Sequence, residues 1–368
     1  MKKYLIVLCF LLVFSVVAYA EEYDEKSIIT EQLETSGVYG IETETDEIAP
    51  EFNFGTEAAE IATGGGSDFI DILKNVVNML FSELKTGISA SAKIILIALC
   101  FGVLSNFAPE EERIMNTAFY VSYSVIFIMI IGSFTNAVAI AEDAMLSMNI
   151  FVRAAVPVLG GLVMASGGAT KAGVISWGVI GASSAMSVLS GIVLPAAVFA
   201  AMLGGVNNLS GRFSLGRLSA AIKKAVMWSL GIVMTVFAAV LAGKGFAAVN
   251  LDAALKRTIK YAASNFVPIV GGVLSETLES VLACTKLVKT AAGSAGIIAV
   301  LYICLAPVIK LVSVLIIYKI TSLVITPMCD RRISGVVDEM SSALTIIIAL
   351  VLASGLMFIV CTGMIAAM

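Results

Sequence analysis

The 368-residue chain contains no histidine. This removes the commonest general base, the usual zinc ligand and every Ser-His or Cys-His nucleophilic arrangement. Charge is scarce as well: 14% of the residues are Asp, Glu, Lys or Arg, against about 25% in an ordinary soluble domain. With 59% hydrophobic residues and a mean hydropathy of +1.00, a soluble single-core protein is excluded. No Gly-x-x-x-x-Gly-Lys-Ser/Thr run occurs, so the chain has no P-loop and is not the ATPase of any machine it serves. Driving energy would come from a partner or a gradient. Cys-x-x-Cys spacing is also missing. Cys9, Cys100, Cys284, Cys304, Cys329 and Cys361 are scattered through apolar sequence and read as small packing residues rather than metal ligands or disulfides. No catalytic, cofactor-binding or metal site and no nucleic-acid partner is expected, and enzyme activity is the least favoured class.

What charge there is falls unevenly. Lys2 and Lys3 precede an apolar stretch from Tyr4 to Val17, and Ala18, Tyr19 and Ala20 lead into Glu21. This is a secretory signal pattern, with cleavage expected between Ala20 and Glu21. The stretch is short for a bilayer core that needs about 20 apolar residues. From Glu21 to Glu60 there are 13 acidic residues and one basic, Lys26. Such composition cannot bury enough apolar surface to offset chain entropy, so residues 21–66 read as a disordered, extracytoplasmic acidic segment. Residues 61–368 carry 20 basic against 14 acidic residues.

The remainder reads as an all-α polytopic membrane protein. Phe69, Ile72, Leu73, Val76, Leu80, Leu84 and Ile88 recur at helical spacing, which predicts an amphipathic helix over 67–91 lying at the membrane surface or against the membrane domain. From Ala92 onward, apolar spans are expected at 92–107, 117–140, 174–206, 225–242, 294–326 and 343–364. Pro195 and Pro307 interrupt two of them, so each is one kinked helix or two short ones. Val156–Met164 and Val267–Leu274 are too short to cross alone; they are re-entrant pieces or the starts of longer helices. The expected total is six to eight crossings or re-entrant helices.

Self-similarity adds a plan. Val156-Pro157-Val158-Leu159-Gly160-Gly161 recurs as Val267-Pro268-Ile269-Val270-Gly271-Gly272, an offset of 111, and Gly132 matches Gly243 at the same offset. Pro195 matches Pro307 after a one-residue adjustment. This predicts an internal duplication of about 111 residues, with units near 119–229 and 230–342 and then a final span. Proline removes an amide hydrogen and glycines admit close backbones. Pro157, Gly160, Gly161, Pro268, Gly271 and Gly272 are therefore candidates either to line a conduit or to pack helices. Lys310, inside the 294–326 stretch, joins them as an intramembrane cation that either faces a wet path or snorkels to the interface. Charge bias makes the 207–224 connection, with Arg212, Arg217, Lys223 and Lys224, the best candidate for the cytoplasmic side.

A signal sequence, an acidic exported stretch and a polytopic domain carry a more specific likeness in the segment Val267-Pro268-Ile269-Val270-Gly271-Gly272-Val273-Leu274-Ser275-Glu276-Thr277-Leu278-Glu279-Ser280, running on to Cys284, and in Tyr302–Pro327 with Ala306, Pro307, Ile317, Tyr318 and Lys319. From about residue 67 to its end, the chain resembles the stage III sporulation protein AE family of endospore-forming bacteria. That resemblance implies a membrane component of the multiprotein channel linking mother cell and forespore after engulfment, in the mother-cell-derived membrane. Its implied partners are other channel subunits, including a separate ATPase and ring-forming proteins like those of specialised secretion systems. The family supplies no established catalytic residues. Beside a platform or gate subunit of this kind stand two alternatives: an autonomous secondary permease with a substrate site between the two Pro-x-x-Gly-Gly segments, and a purely structural anchor.

Overall fold

In a computed structural model, residues 69–107, 112–165, 169–209, 215–266, 271–327, 329 and 331–367 are described. The expected signal peptide, the cleavage point at Ala20 and Glu21 and the acidic segment lie outside them. All regular structure among the described residues is helical, as hydrocarbon requires of a backbone that must satisfy its polar groups within the segment. The order is α1 (Phe69–Phe107), α2 (Glu112–Ala165), α3 (Ala169–Val188), a π-helical turn (Leu189–Val193), α4 (Leu194–Leu209), α5 (Leu215–Phe266), α6 (Gly271–Ile325) and α7 (Arg331–Ala367). Six stretches are long and apolar enough to cross a membrane: Asn78–Val103, Thr117–Val158, Ser176–Leu209, Leu215–Leu241, Ser294–Ile325 and Arg331–Gly363.

Several of these helices outrun their expected boundaries. The surface helix expected over 67–91 and the span expected from Ala92 form the single helix α1. No Pro lies near the junction, Gly87 is carried inside the helix, and Ser91 turns its hydroxyl back to the Ile88 carbonyl at 2.9 Å, satisfying itself within the helix. Val156–Met164 is not a separate re-entrant piece but the last turns of α2. At the far end of the molecule, α5 continues 25 residues past Leu241 and α6 begins 23 residues before Ser294.

Pro195 is accommodated without a break. A proline clashes with the carbonyl four residues earlier and offers it no hydrogen. Just ahead of it the chain widens into the π turn, where the Leu194 amide reaches back five residues to the Leu189 carbonyl. Such a bulge gives the misfitting carbonyl room while α3 and α4 continue as one crossing. Pro307, by contrast, sits inside an unbroken α6.

α7 forms the axis. Of its apolar stretch, 61% is buried inside the molecule, against 17% for α5 at the periphery. It packs along α6 and touches α2, α3 and α4, while α1 lies on the outside of α6. At Gly355 three helices converge: a Cβ there would lie 2.8 Å from Cys304 Sγ on α6 and 3.6 Å from Met148 Sδ on α2. Hydrocarbon gives no hydrophobic drive between helices, so close approach of this kind supplies the attraction. Hydroxyls add directed links between helices. Tyr318 donates to the Ile130 carbonyl at 3.3 Å and Ser219 to the Ala200 carbonyl at 2.7 Å, each using a lone pair that the helical ladder leaves free.

Candidate functional site at the polar end of the bundle

Alternating direction brings the α1–α2, α4–α5 and α6–α7 connections to one end of the bundle and the α2–α3 and α5–α6 connections to the other. At the first end the apolar packing gives way to a polar layer. Lys223 of α5 pairs with Glu339 of α7, and its ammonium also lies 3.5 Å from the Glu339 backbone carbonyl. The lysine side chain is 14% exposed and the glutamate 33%. Gly204 of α4 is the floor: a Cβ there would come within 2.5 Å of Glu339 Oε2 and 3.1 Å of its Cγ. One ion pair thus ties three helices.

Around it the polar groups are matched individually. Asn207 accepts a hydrogen bond from the Gly216 amide at 2.8 Å, capping one of the amides that the start of α5 leaves without a helical partner. Ser322 of α6 donates to Asp338 of α7 at 2.7 Å. Tyr123 of α2 donates to the Gly205 carbonyl at 2.5 Å, next to the glycine under Glu339. The Arg332 guanidinium stacks over the Phe119 ring at 5.6 Å, and Phe119 in turn meets Phe101 edge to face. Beyond these contacts a cavity of about 470 Å³ opens between Asn208, Thr326, Arg331, Arg332, Ser334 and Asp338.

The contacts of this layer hold neighbouring helices together. Among the described residues no cluster of three metal-ligating side chains exists, and each carboxylate is held by a named partner. What the arrangement can do is fix the mutual position of α4, α5, α6 and α7, or release it.

The residues singled out from sequence lie elsewhere. Pro157, Gly160 and Gly161 fall within α2; Pro157 and Gly161 are exposed, and nothing within 4 Å would meet a Cβ at Gly160 or Gly161. Among the described residues, then, the two glycines of the first motif meet no neighbour, while Val156 and Val158 beside them pack against the core. Pro268 lies outside the described residues, and Gly271 and Gly272 open α6. Lys310 sits midway along the apolar stretch of α6, half-buried, with neither hydrogen bond nor ion pair among the described residues. The structure does not bring these groups together with the polar layer.

Sequence reasoning missed Glu339 because the last span was expected to begin at Ala343, which leaves Asp338 and Glu339 in a connection. α7 starts at Arg331 instead. Ile333, Val336, Val337 and Met340, all buried, repeat at helical spacing through this stretch and were the available signal.

The model of the family described as stage III sporulation protein AE matches residues 52–368. Among curated proteins, the stage III sporulation protein AE of Bacillus subtilis (strain 168) is 26% identical, over 92% of this chain and 89% of its own length. No solved structure matches. With a match that spans all seven α-helices of the bundle, the chain belongs to the stage III sporulation protein AE family.

Proposed function

We propose that this protein is a non-enzymatic platform or gate subunit of the multiprotein, secretion-like channel connecting mother cell and forespore. It would sit in the mother-cell-derived membrane, with its acidic segment extracytoplasmic. Family membership supports the sporulation setting. The single structural observation that carries the subunit reading is the outward placement of the first Pro-x-x-Gly-Gly motif: exposed Pro157 and open space at Gly160 and Gly161 suit contact with another protein's helices. An autonomous permease would need that motif turned toward the axis, which α7 fills. Lacking histidine and a P-loop, the chain leaves energy supply to a separate ATPase, with ring-forming proteins completing the conduit.

The test is deletion of the gene in its native host, scored by microscopy and a late forespore reporter, with the wild-type chain restored as control. Intact vegetative growth with engulfed forespores arrested is the expected result. Normal spores, or a nutrient or ion defect in growing cells, would reject the proposal.

Two substitutions then locate the contact. Gly161→Leu adds a side chain into open space, so the variant should accumulate and unfold like wild type while spore yield falls at least tenfold. Lys310→Met should behave in the same way, because a mid-membrane ammonium without a carboxylate partner among the described residues calls for one from a neighbour or for a wet path. Wild-type spore counts from either variant would remove that residue from the functional surface.

A further inference from the structure

The cavity at the polar end has the chemistry of an anion site. Arg331 and Arg332 open α7, and the first amides of any helix lack intrahelical acceptors and carry the positive end of its dipole. The Arg331 guanidinium has neither hydrogen bond nor ion pair among the described residues. Asp338, the carboxylate in the lining, is engaged by Ser322. Asn208 keeps one amide hydrogen beyond its bond to the Gly204 carbonyl, while the Thr326 and Ser334 hydroxyls donate to the Ser322 and Arg331 carbonyls and line a space of about 470 Å³, ample for a phosphate with part of a polar alcohol attached. This is more than a helix terminus: two guanidinium groups, one of them stacked on Phe119, and the Asn208 amide line an open cleft.

A second observation identifies what carries the phosphate. Thr326 continues an outward ridge of α6 on which Leu323 is 77% exposed and Ile320 55%. Ile320, Leu323 and Thr326 are spaced three residues apart, so they follow one side of the helix from apolar surface down to the cavity mouth. An acyl chain lying along Ile320 and Leu323 delivers its headgroup to Arg331. A soluble phosphate would leave that ridge bare.

We infer that this cavity binds the phosphate headgroup of an anionic phospholipid, with Arg331 and Arg332 as its cationic ligands and the Ile320–Leu323 ridge as the seat of an acyl chain. Such a lipid would sit beside the Ser322–Asp338 and Lys223–Glu339 contacts and brace the α6–α7 junction from outside.

The experiment is native mass spectrometry of the full-length protein released from micelles containing equal amounts of phosphatidylglycerol and phosphatidylcholine. The wild type should retain phosphatidylglycerol in clear preference. A basic side chain near an anionic surface contributes about fivefold in binding, so R331Q/R332Q should lose roughly thirtyfold. R331Q alone should lose about fivefold; its side chain makes no hydrogen bond or ion pair with the described residues, which guards against a folding defect. K224Q, which removes a like charge from the same end outside the cavity, should bind as wild type does. Equal retention of the two lipids, undiminished retention by R331Q, or displacement of the lipid by millimolar inorganic phosphate would each overturn the inference.

Discussion

Lys223→Met should destabilise the solubilised protein by about 2–3 kcal/mol, less than removing one partner of a fully buried ion pair costs, because Glu339 keeps a third of its side chain exposed. The expected damage comes less from the lost attraction than from the carboxylate left behind. Glu339 lies against Gly204, and its nearest cation would be gone. Glu339→Gln should cost less, about 1–2 kcal/mol, because an amide oxygen can still accept from the ammonium and the Glu339 backbone carbonyl stays in reach. The double variant Lys223→Met, Glu339→Met should recover most of the loss, since paired apolar replacements remove both desolvation costs together. Denaturant unfolding in mixed micelles across this cycle supplies the coupling energy. If the single variants match wild type within about 0.5 kcal/mol, the range of an ordinary surface change, the pair is solvated and does not tie the three helices.

The second large effect is expected at Gly205. A Cβ there would lie 2.5 Å from Phe127 Cε2, 3.1 Å from its Cζ and 3.3 Å from Met340 Cε. An aromatic ring cannot bend away as a flexible chain end does, and Phe127 also packs on Tyr123, whose hydroxyl holds the Gly205 carbonyl. Gly205→Ala should therefore cost about 2–3 kcal/mol, the upper part of the range for overpacking. Phe127→Leu should restore a good part of it by vacating the contested volume. Gly204→Ala should be milder, because the side chain it meets, Glu339, is flexible and the long Lys223 chain can follow it without breaking the pair. Equal unfolding midpoints for the two alanine variants would show that α4 shifts as a body and that the ring is not the obstacle.

The sequence made the number and kind of helices legible because hydrocarbon imposes one simple requirement, a long apolar run, and α2, α5 and α6 announce theirs plainly. Boundaries were less legible where short polar stretches carry no helix breaker. The change from amphipathic to apolar character at Ala92 suggests a boundary, yet Ser91 satisfies itself inside the helix, and α1 runs through. The π turn before Pro195 left only the proline as a sign. The polar layer was the hardest part to foresee. Lys223 and Glu339 are 116 residues apart, and each, read alone, looks like an ordinary interfacial charge. Only the fold, by ending α4, α5 and α7 at one level with a glycine between them, makes them partners. Conversely, Gly160 and Gly161 drew attention by repetition, a signal that says nothing about which way a residue faces.

Six apolar stretches make an even number. Among the described residues the entry to α1, the end of α7 and residues 242–293 therefore lie at one end of the bundle, and the polar layer at the other. Twenty-five further residues of α5 and 23 leading residues of α6 reach about 35–38 Å at 1.5 Å per residue, more than the hydrocarbon core is thick. Lys256, Arg257, Lys260, Glu276 and Glu279 ride on those arms. Continuous helices thus join the polar layer at one end of the bundle to the two long arms at the other.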